Sequence, residues 1–437
     1  MLAIAALVVV CALPAAAAGA EVADPTVSGP VEGGTHGYPW NHSLFALKSK
    51  RFDYTENEYF FGGTATSLDS GITAPYQSRM LVRLPRDRAD FSGTVLVEWL
   101  NVTGQSDLET AWPVEAKYLM RHGVGYVGVS AQFAGVCCGP TTLVGWDPQR
   151  YGPLSVPPGD QFSYDIFSQA IRALRAPQAV DPTGGFGVEN LVVTGASQSA
   201  LYLTDFINGG YNRDQIDLYV ITRGGGPFDD FSTPIFHLNE ENSEAPQPDS
   251  DRYVAWEEAG TAHAPLAWWG YITREQDRDL GSPNAATAIN AACAINRGSV
   301  DFSSRAFSYW TMRYLEDGTM PPSAPRVERE GGNIVRDENG LAEGGLRQPF
   351  VEVPVAYNSS EVCPLYGSHT SWDADQITGL YPTHHDYVAR LRAWTRHEVK
   401  HGWLLRGDRR RVLNRARGFD EPWSGGCDPC EAPAGLG

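Results

Sequence analysis

The chain has 437 residues, which is long for one domain and permits two domains or one elaborated α/β domain. Acidic residues outnumber basic ones, with 52 Asp and Glu against 34 Lys and Arg and a formal net charge of −18. Because phosphate binding needs a basic face, this balance argues against nucleic acid as a partner.

The first 20 residues have the features of a signal peptide. They carry no charge, include an apolar run and end in Ala18, Gly19 and Ala20, which suits cleavage before Glu21. We therefore expect a mature chain that is secreted or periplasmic. The leader lacks the usual basic start, so a short membrane anchor is the alternative. No later stretch approaches about 20 apolar residues, and we expect no membrane span in the mature chain.

The segment after the leader is rich in Gly and Pro until about Trp40, and strands and a helix are predicted beyond it. The runs at 52–68 and 77–85 have the composition of two antiparallel strands with a polar connection. A buried strand at 93–101, an amphipathic helix at 111–123 and another strand at 125–132 come next.

Residues 133–161 are predicted to form a loop, because five prolines in this stretch prevent long elements. The loop contains Cys137 and Cys138. Adjacent cysteines more often bond elsewhere than to each other, so we expect separate partners for these two.

Helices and strands then alternate. A helix is predicted at 163–176, a buried strand with its helix at 188–206, and strands at 216–225, 233–242 and 251–260. Alternation of this kind implies a parallel sheet that is covered on both faces. We therefore expect a mostly parallel, twisted sheet with helices on both faces.

More than 170 residues follow His263. They include an Ala-rich helix predicted at 284–296, a helix at 305–318, a Gly-rich hairpin around 330–345 and a basic amphipathic helix at 386–403. This C-terminal extension either packs on the sheet or forms a lid, and the sequence leaves both possibilities open.

Six cysteines remain after the predicted leader, and an even number in an exported protein favours disulfides over a metal site. Cys293 with Cys363 is the preferred long-range pair. Cys427 and Cys430 lie in a Gly- and Pro-rich tail, where a terminal disulfide or a disordered end is expected. The expected division is a leader at 1–20, a catalytic core at 21–275, the extension at 276–425 and a tail at 426–437.

The strand and helix at 188–206 are joined by Gly-Ala-Ser-Gln-Ser at 195–199. Reactive groups gather at the carboxyl ends of parallel strands. A serine in a tight strand-to-helix turn is lifted out of the sheet, and small flanking residues are needed because the turn is strained. We predict a nucleophile elbow that presents Ser197, with Ser199 in place of the usual final glycine. The alternative is a plain turn in which Ser197 caps the helix.

A serine nucleophile needs a general base and a carboxylate that orients the base. The expected chain order is serine, acid, histidine, and His263 is the first histidine after Ser197 except for His237. His237 lies inside a strand, where we expect it to pack in the core. Further alternatives for the base lie in the extension: His369, His384 and His385.

The acid should end the strand before the one that leads to His263, where Glu240 and Glu241 are adjacent. Strand alternation does not by itself separate two neighbouring glutamates. On this reasoning either glutamate could be the acid. Alternatives that are more simply loop charges are Glu244, Asp229, Asp230, Asp249 and Asp251.

The tetrahedral intermediate also needs two backbone N–H donors. Gln198, directly after the nucleophile, should supply one, and Asn101 or Val102 the other. The alternative for the run that begins at Asn101 is an ordinary turn or a glycosylation acceptor. Four aromatic residues are expected to line an apolar substrate pocket, with core packing as the alternative for each: Trp112, Phe133, Trp268 and Trp269.

Several runs that span nearly the whole predicted mature chain carry a family resemblance, among them GTVLVEWLNVTGQSD, TGASQSA, PQPDSDRYVAWEEAGTAHA and CPLYGS. By these runs the chain resembles the secreted α/β-hydrolase domain family, a group of esterase-like proteins. The resemblance implies an α/β-hydrolase fold, with Ser197 as nucleophile and His263 as base. The family reads Glu-Thr-Asp after the acid strand. Here Glu241 falls on the Glu and Ser243 on the Asp, so the resemblance favours Glu241, with Glu240 as the alternative.

The predicted function is a serine hydrolase that cleaves a carboxylic ester through an acyl-enzyme intermediate, with no cofactor or metal required. Its substrate is expected to be a small-molecule, carbohydrate-linked or lipid-linked ester. An acyltransferase would use the same groups and differ in how well the pocket excludes water. A non-catalytic binding protein on a hydrolase scaffold is the alternative from another class.

Overall fold

The computed structural model describes residues 22–67, 70–212, 214–229, 231–281, 293–363 and 365–430. The predicted signal peptide, most of the predicted Ala-rich helix at 284–296, the alternative acid Asp230 and the last seven tail residues lie outside the described residues. Within the described ranges, every helix is too short or too polar to span a bilayer.

Nine strands of the described chain form one sheet at the centre of the molecule. They are β1 (Thr26–Ser28), β2 (Tyr54–Thr66), β3 (Thr73–Pro85), β4 (Thr94–Trp99), β5 (Gly125–Val129), β6 (Asn190–Ala196), β7 (Leu218–Thr222), β8 (Ile235–Glu240) and β9 (Tyr253–Glu258). Their spatial order is β1-β2-β3-β5-β4-β6-β7-β8-β9. The three pairs at one side of the sheet, β1–β2, β2–β3 and β3–β5, are antiparallel. All the other neighbouring strands, from β5 to β9 in the spatial order, pair in parallel.

The helices of the described chain are α1 (Trp112–Arg121), α2 (Phe133–Val136), α3 (Leu143–Trp146), α4 (Pro148–Tyr151), α5 (Ser163–Arg175), α6 (Gln198–Asn208), α7 (Leu266–Leu280), α8 (Val300–Asp317), α9 (Pro349–Glu352), α10 (Ala374–Leu380), α11 (His384–His401), α12 (Arg409–Gly418) and α13 (Glu421–Ser424). Two short 3₁₀ turns lie at Arg88–Asp90 and Asp160–Phe162.

Helices cover both faces of the sheet, as predicted. Side chains alternate along the buried strands, so that Val97 and Val193 enter the core under α5 and α6, whereas Leu96 and Val192 enter the core under α1, α7 and α8. The two hydrophobic cores lie on opposite faces of one sheet. This arrangement confirms the mostly parallel sheet expected from the alternation of elements.

The stretch predicted as a loop at 133–161 instead contains the one-turn helices α2, α3 and α4. Pro148 is the first residue of α4, where its fixed φ and missing N–H suit a helix start, and the side chain of Asp147 caps this turn. Prolines thus limit the length of these helices without excluding them.

All six cysteines of the predicted mature chain are paired. Cys293 bonds to Cys363, which confirms the preferred long-range pair, and a second disulfide joins the two tail cysteines. Cys137 bonds to Cys138, which corrects the expectation of separate partners for these two. The other four cysteines of the predicted mature chain bond to each other, so no other cysteine is left as a partner for these two.

The extension contributes six helices and two small hairpins to the described chain. One hairpin pairs β10 (Arg329–Glu330) with β11 (Asn333–Ile334) in the predicted Gly-rich stretch, and the other pairs β12 (Ala356–Ser359) with β13 (Ser368–Ser371). Helix α8 packs on the sheet beside α1. Residues of α10, α11 and α12 form a smaller core of their own around Tyr387 and Leu391.

Candidate active site

Ser197 occupies a strained turn between β6 and α6. Its backbone has φ 58° and ψ −119°, a combination that residues other than glycine rarely adopt. The side chain makes no capping hydrogen bond with the helix, so the structure does not support the alternative of a simple helix cap. The turn therefore places Ser197, a partly exposed residue, at the carboxyl edge of the parallel strands.

The residues around Ser197 hold this turn by close packing and hydrogen bonds. A Cβ on Gly195 would lie 2.8 Å from Leu203 Cδ1 and 3.3 Å from Ser199 Cβ. Ser199, which replaces the usual glycine, is fully buried. Its Oγ donates to the Ala196 carbonyl over 2.9 Å and accepts from the Ala196 N–H over 3.2 Å. Ser199 thus fits the turn and also bonds to it.

His263 is hydrogen-bonded to Glu240, the last residue of β8. The imidazole Nδ1 lies 2.9 Å from Glu240 Oε1, and Ser243 Oγ donates to the same oxygen over 2.7 Å. Burial by itself raises the pKa of the Glu240 carboxyl, but the hydrogen bond and charge of His263, together with the Ser243 hydroxyl, bring it below the ordinary value. The arrangement keeps an ionised carboxylate on the histidine ring.

Glu241 does not contact His263, which corrects the assignment favoured by the family resemblance. Its Oε1 lies 2.7 Å from Arg336 Nη2, and its Oε2 accepts from the Gly260 N–H over 2.5 Å. Successive residues at a strand end point in opposite directions, so only one of two adjacent glutamates can reach the histidine. Glu241 instead fixes the turn that leads to His263.

The extension makes further hydrogen bonds to the loop that carries His263. Asn296 Nδ2 donates to the Gly260 carbonyl over 3.1 Å, and the Ala264 N–H donates to the Leu365 carbonyl over 2.6 Å. These bonds bracket His263 from both sides in sequence. The run CPLYGS, which carries part of the family resemblance, supplies Leu365 to this contact.

Val102 and Gln198 are placed to supply the two backbone donors, whereas Asn101 is not. The Val102 N–H lies 3.4 Å from Gln198 Oε1, and Gln198 is the first residue of α6, where N–H groups lack partners within the helix. The Asn101 N–H donates to the Leu108 carbonyl over 3.1 Å. The prediction that Asn101 could supply a donor is therefore wrong, because its N–H is already bonded. Its buried side chain bonds to the Ala196 carbonyl over 3.0 Å, which does not suit a glycosylation acceptor.

An open cavity of about 500 Å³ adjoins the elbow. Its walls include the side chains of Ser197 and Gln198 and are otherwise mixed in polarity, with Val102, Thr103, Gln105, Gln132, Ala134, Asp160, Leu201, Arg223 and Gly224.

The four aromatic residues predicted for the pocket are not among the described residues that line this cavity. Trp112 is fully buried, and its indole N–H donates to Ser43 Oγ over 3.0 Å. Trp268 and Trp269 lie at the start of α7 and belong to the core on that face of the sheet, and Phe133 packs against the other core. Core packing, the stated alternative, describes all four.

Comparison with known proteins gives the family. The model of a family described as alpha/beta hydrolase domain matches residues 27–414. The chain belongs to this alpha/beta hydrolase family. No curated protein is significantly similar to it.

Solved structures that match this hydrolase include esterases and serine hydrolases. Brefeldin A esterase, described as a bacterial homologue of human hormone-sensitive lipase, is 16% identical over 42% of this chain and 43% of that chain, with a TM-score of 0.25. A serine hydrolase without a lid from Xanthomonas campestris is 14% identical over 50% and 92%, with a TM-score of 0.30. A cold-adapted esterase from an Arctic intertidal metagenomic library is 11% identical over 52% and 94%, with a TM-score of 0.30. The hydrolase therefore spans less than half the length of the first of these.

The parallel strands of the hydrolase bring the site residues to one edge. Ser197 follows β6, Glu240 ends β8, and His263 follows β9. Within the described residues, no hydrogen bond links the Ser197 hydroxyl to His263, and the ring of His263 is bonded to Glu240 alone. The structure thus pairs His263 with Glu240 through Nδ1, and its Nε2 has no hydrogen-bond partner among the described residues.

Arg223 is a site residue that the sequence analysis missed. It follows β7, the strand between β6 and β8, and it lines the cavity of this hydrolase together with Ser197. Burial lowers the pKa of its guanidinium, and Glu240, Glu258 and Glu115 act in the opposite direction. The available signal was its position, because it comes directly after a strand that neighbours the elbow strand.

Proposed function

We propose that this protein is a serine esterase that cleaves carboxylic esters through a Ser197-His263-Glu240 triad. The observation that carries the proposal is the hydrogen bond between His263 and Glu240 at the same sheet edge as the strained Ser197 turn. In unliganded sites the bond between nucleophile and base is often long and tightens only when substrate is bound. The open ring nitrogen of His263 is compatible with that role.

Each half of the proposed reaction passes one proton through His263: the serine proton goes to the alcohol, and a water proton later goes to Ser197. His263 Nε2 accepts the proton of Ser197 as its Oγ attacks the ester carbonyl, and Glu240 stabilises the imidazolium through Nδ1. Collapse of the tetrahedral intermediate expels the alcohol, which receives the proton from His263. Water, deprotonated by His263, then releases the acid from the acyl-enzyme and restores Ser197.

The oxyanion would be held by the N–H groups of Val102 and Gln198. The Gln198 side chain accepts from the Val102 N–H over 3.4 Å, and a bound substrate oxygen would take its place. Because Gln198 begins α6, the helix dipole adds favourable charge at this point.

We also propose that the protein is exported. The uncharged leader that ends in small residues and the complete pairing of the other cysteines support this proposal. Sequencing of the amino terminus of the mature protein should find Glu21 as its first residue. A mature protein that retains the leader would contradict cleavage at this site.

The catalytic proposal is tested by labelling and by turnover of p-nitrophenyl acetate and butyrate. A fluorophosphonate probe should label Ser197, and Ser197→Ala should lose the label and lower kcat by roughly 10⁴-fold or more. Ser424→Ala, at an exposed position in α13, should match the unaltered protein. Full turnover in Ser197→Ala, or a label at another residue, would refute the mechanism.

A further inference from the structure

The Arg223 side chain stands beside the nucleophile without an ion-pair partner among the described residues. Arg223 lines the cavity that contains Ser197 and Gln198. The backbone N–H of Arg223 donates to the Leu238 carbonyl over 2.9 Å. That bond ties its backbone to the neighbouring strand β8. The side chain also lines a smaller internal cavity together with Glu115 and Glu258. Arg223 therefore lies between the open site and the interior.

The acids that act on Arg223 are engaged by other groups. Glu240 accepts from His263 and Ser243, Glu258 from Ser303, and Glu115 from Ser308. Burial raises the pKa of both Glu115 and Glu258 to about 8, so both are largely neutral at pH 7. The positive charge of the guanidinium is thus not neutralised by a direct carboxylate partner within the described chain.

A guanidinium that is partly removed from water and has no anionic partner is unfavourable on its own. Its planar fork fits a carboxylate through two parallel hydrogen bonds, which makes such a position well suited to an anionic ligand. Asp160 is the one acid among the described residues of the cavity wall, and it accepts from the Tyr202 hydroxyl over 2.5 Å. The wall around Arg223 otherwise consists of neutral side chains.

We propose that Arg223 binds a carboxylate on the substrate, so that the preferred esters are anionic ones such as half esters of dicarboxylic acids or esters of hydroxy acids. This inference rests on the proposed function, because it assumes that Ser197 attacks an ester in the same cavity. It adds a substrate class that the elbow and the histidine do not specify. An overall charge of −18 makes a local cation in the site all the more necessary for such substrates.

The experiment compares matched pairs of charged and neutral esters. On the acyl side, mono-4-nitrophenyl glutarate is compared with 4-nitrophenyl methyl glutarate, and on the alcohol side, 4-acetoxybenzoate is compared with methyl 4-acetoxybenzoate. The unaltered protein should prefer the charged member of at least one pair in kcat/KM, and the pair that shows the preference tells which side of the ester carries the carboxylate. Arg223→Gln should reduce that preference by roughly tenfold or more, mainly through KM, and Arg223→Lys should retain part of it because the charge remains.

Arg252→Gln is the matched control, because it removes the same charge as Arg223→Gln. Arg252 is exposed and precedes β9, so it lies at the opposite end of the parallel strands from the cavity. It should leave the charged-to-neutral ratio as it is. If Arg223→Gln does not fold, inhibition of the unaltered protein by glutarate but not by dimethyl glutarate gives the same information. No charged preference in either pair, or an unchanged ratio in Arg223→Gln, would overturn the inference while ester turnover leaves the proposed function in place. No turnover of any ester would instead contradict the proposed function.

Discussion

Two adjacent glutamates at the end of β8 are expected to have separable roles. Glu240→Gln keeps the shape of the side chain but removes the charge that stabilises the His263 imidazolium, so kcat should fall by roughly 10³- to 10⁴-fold. Glu241→Gln should instead weaken the bond to Arg336 and loosen the turn at Gly260, with a lower melting temperature and a smaller loss of kcat.

Steady-state kinetics and thermal unfolding of the two variants, side by side, provide the measurement. A larger loss of kcat in Glu241→Gln than in Glu240→Gln would show that the acid is misassigned. The sequence could not decide between them, because the choice depends on the direction in which the strand end delivers each side chain. The competing partner of Glu241, Arg336, lies 95 residues away in the chain.

At the scale of elements, the turn between β6 and α6 depends on a small residue at 195. Because Leu203 is fully buried, it cannot move freely away from an added methyl group, whose Cβ would lie 2.8 Å from Leu203 Cδ1. Gly195→Ala should therefore destabilise the protein by about 1–3 kcal/mol and lower kcat by shifting Ser197. Urea unfolding and ester turnover measure the two effects.

Gly270→Ala is the control for that substitution. Gly270 lies within α7, and apart from the local backbone of that helix no atom of the described residues lies within 4 Å of the position that its Cβ would take. Alanine should favour the helix there by about 0.5–1 kcal/mol. Equal stability of Gly195→Ala and the unaltered protein would mean that the elbow is looser than its contacts indicate.

The elements themselves were largely predictable from local patterns. Buried runs such as β4 and β6 and amphipathic helices such as α5 depend on residues close in sequence, and their alternation implies a parallel sheet. The elbow was predictable because its strand, small residues and helix are consecutive. The choice between Asn101 and Val102 was not predictable, because it depends on an isolated β-bridge between Asn101 and Leu108. The hydrophobic periodicity of the sequence does not indicate such a bridge.

The C-terminal extension holds the loop that carries His263. Arg336, Asn296 and Leu365 all bond to the loop around His263 or to Glu241. These contacts join segments far apart in the chain, which single-sequence patterns do not reveal. The same limit explains the aromatic residues, because Trp112 follows a strand end in sequence and yet turns into the core. The fold and the strained turn at Ser197 could therefore be predicted, whereas most of the cavity wall could not.

Buried carboxyl groups should give the whole protein a stability that falls as the pH rises toward 8. Burial raises the pKa of Glu258, which is 2% exposed, from 4.5 to about 8, so the folded state keeps a proton that the unfolded state releases. The stabilising effect of that proton is present below the unfolded pKa. It is lost as the pH rises toward the folded value, by about 1.4 kcal/mol for each pH unit.

Glu240 acts in the opposite direction but in another pH range. The pKa of Glu240 is lowered in the folded state, so its stabilising effect is present above the unfolded pKa and is lost as the pH falls through the folded pKa. This change lies at a lower pH than the range in which Glu258 acts. Urea unfolding at several pH values between about 5 and 8 should therefore show a negative slope that Glu258→Gln reduces, because the amide stays neutral. Glu316→Gln, an exposed position in α8, should leave the slope unchanged. Burial lowers the pKa of His237 to about 4, which adds a rise of stability with pH up to about 6.5, so the test is the difference in slope between the variant and the unaltered protein. A slope unaffected by Glu258→Gln would show that Glu258 is ionised in the folded protein.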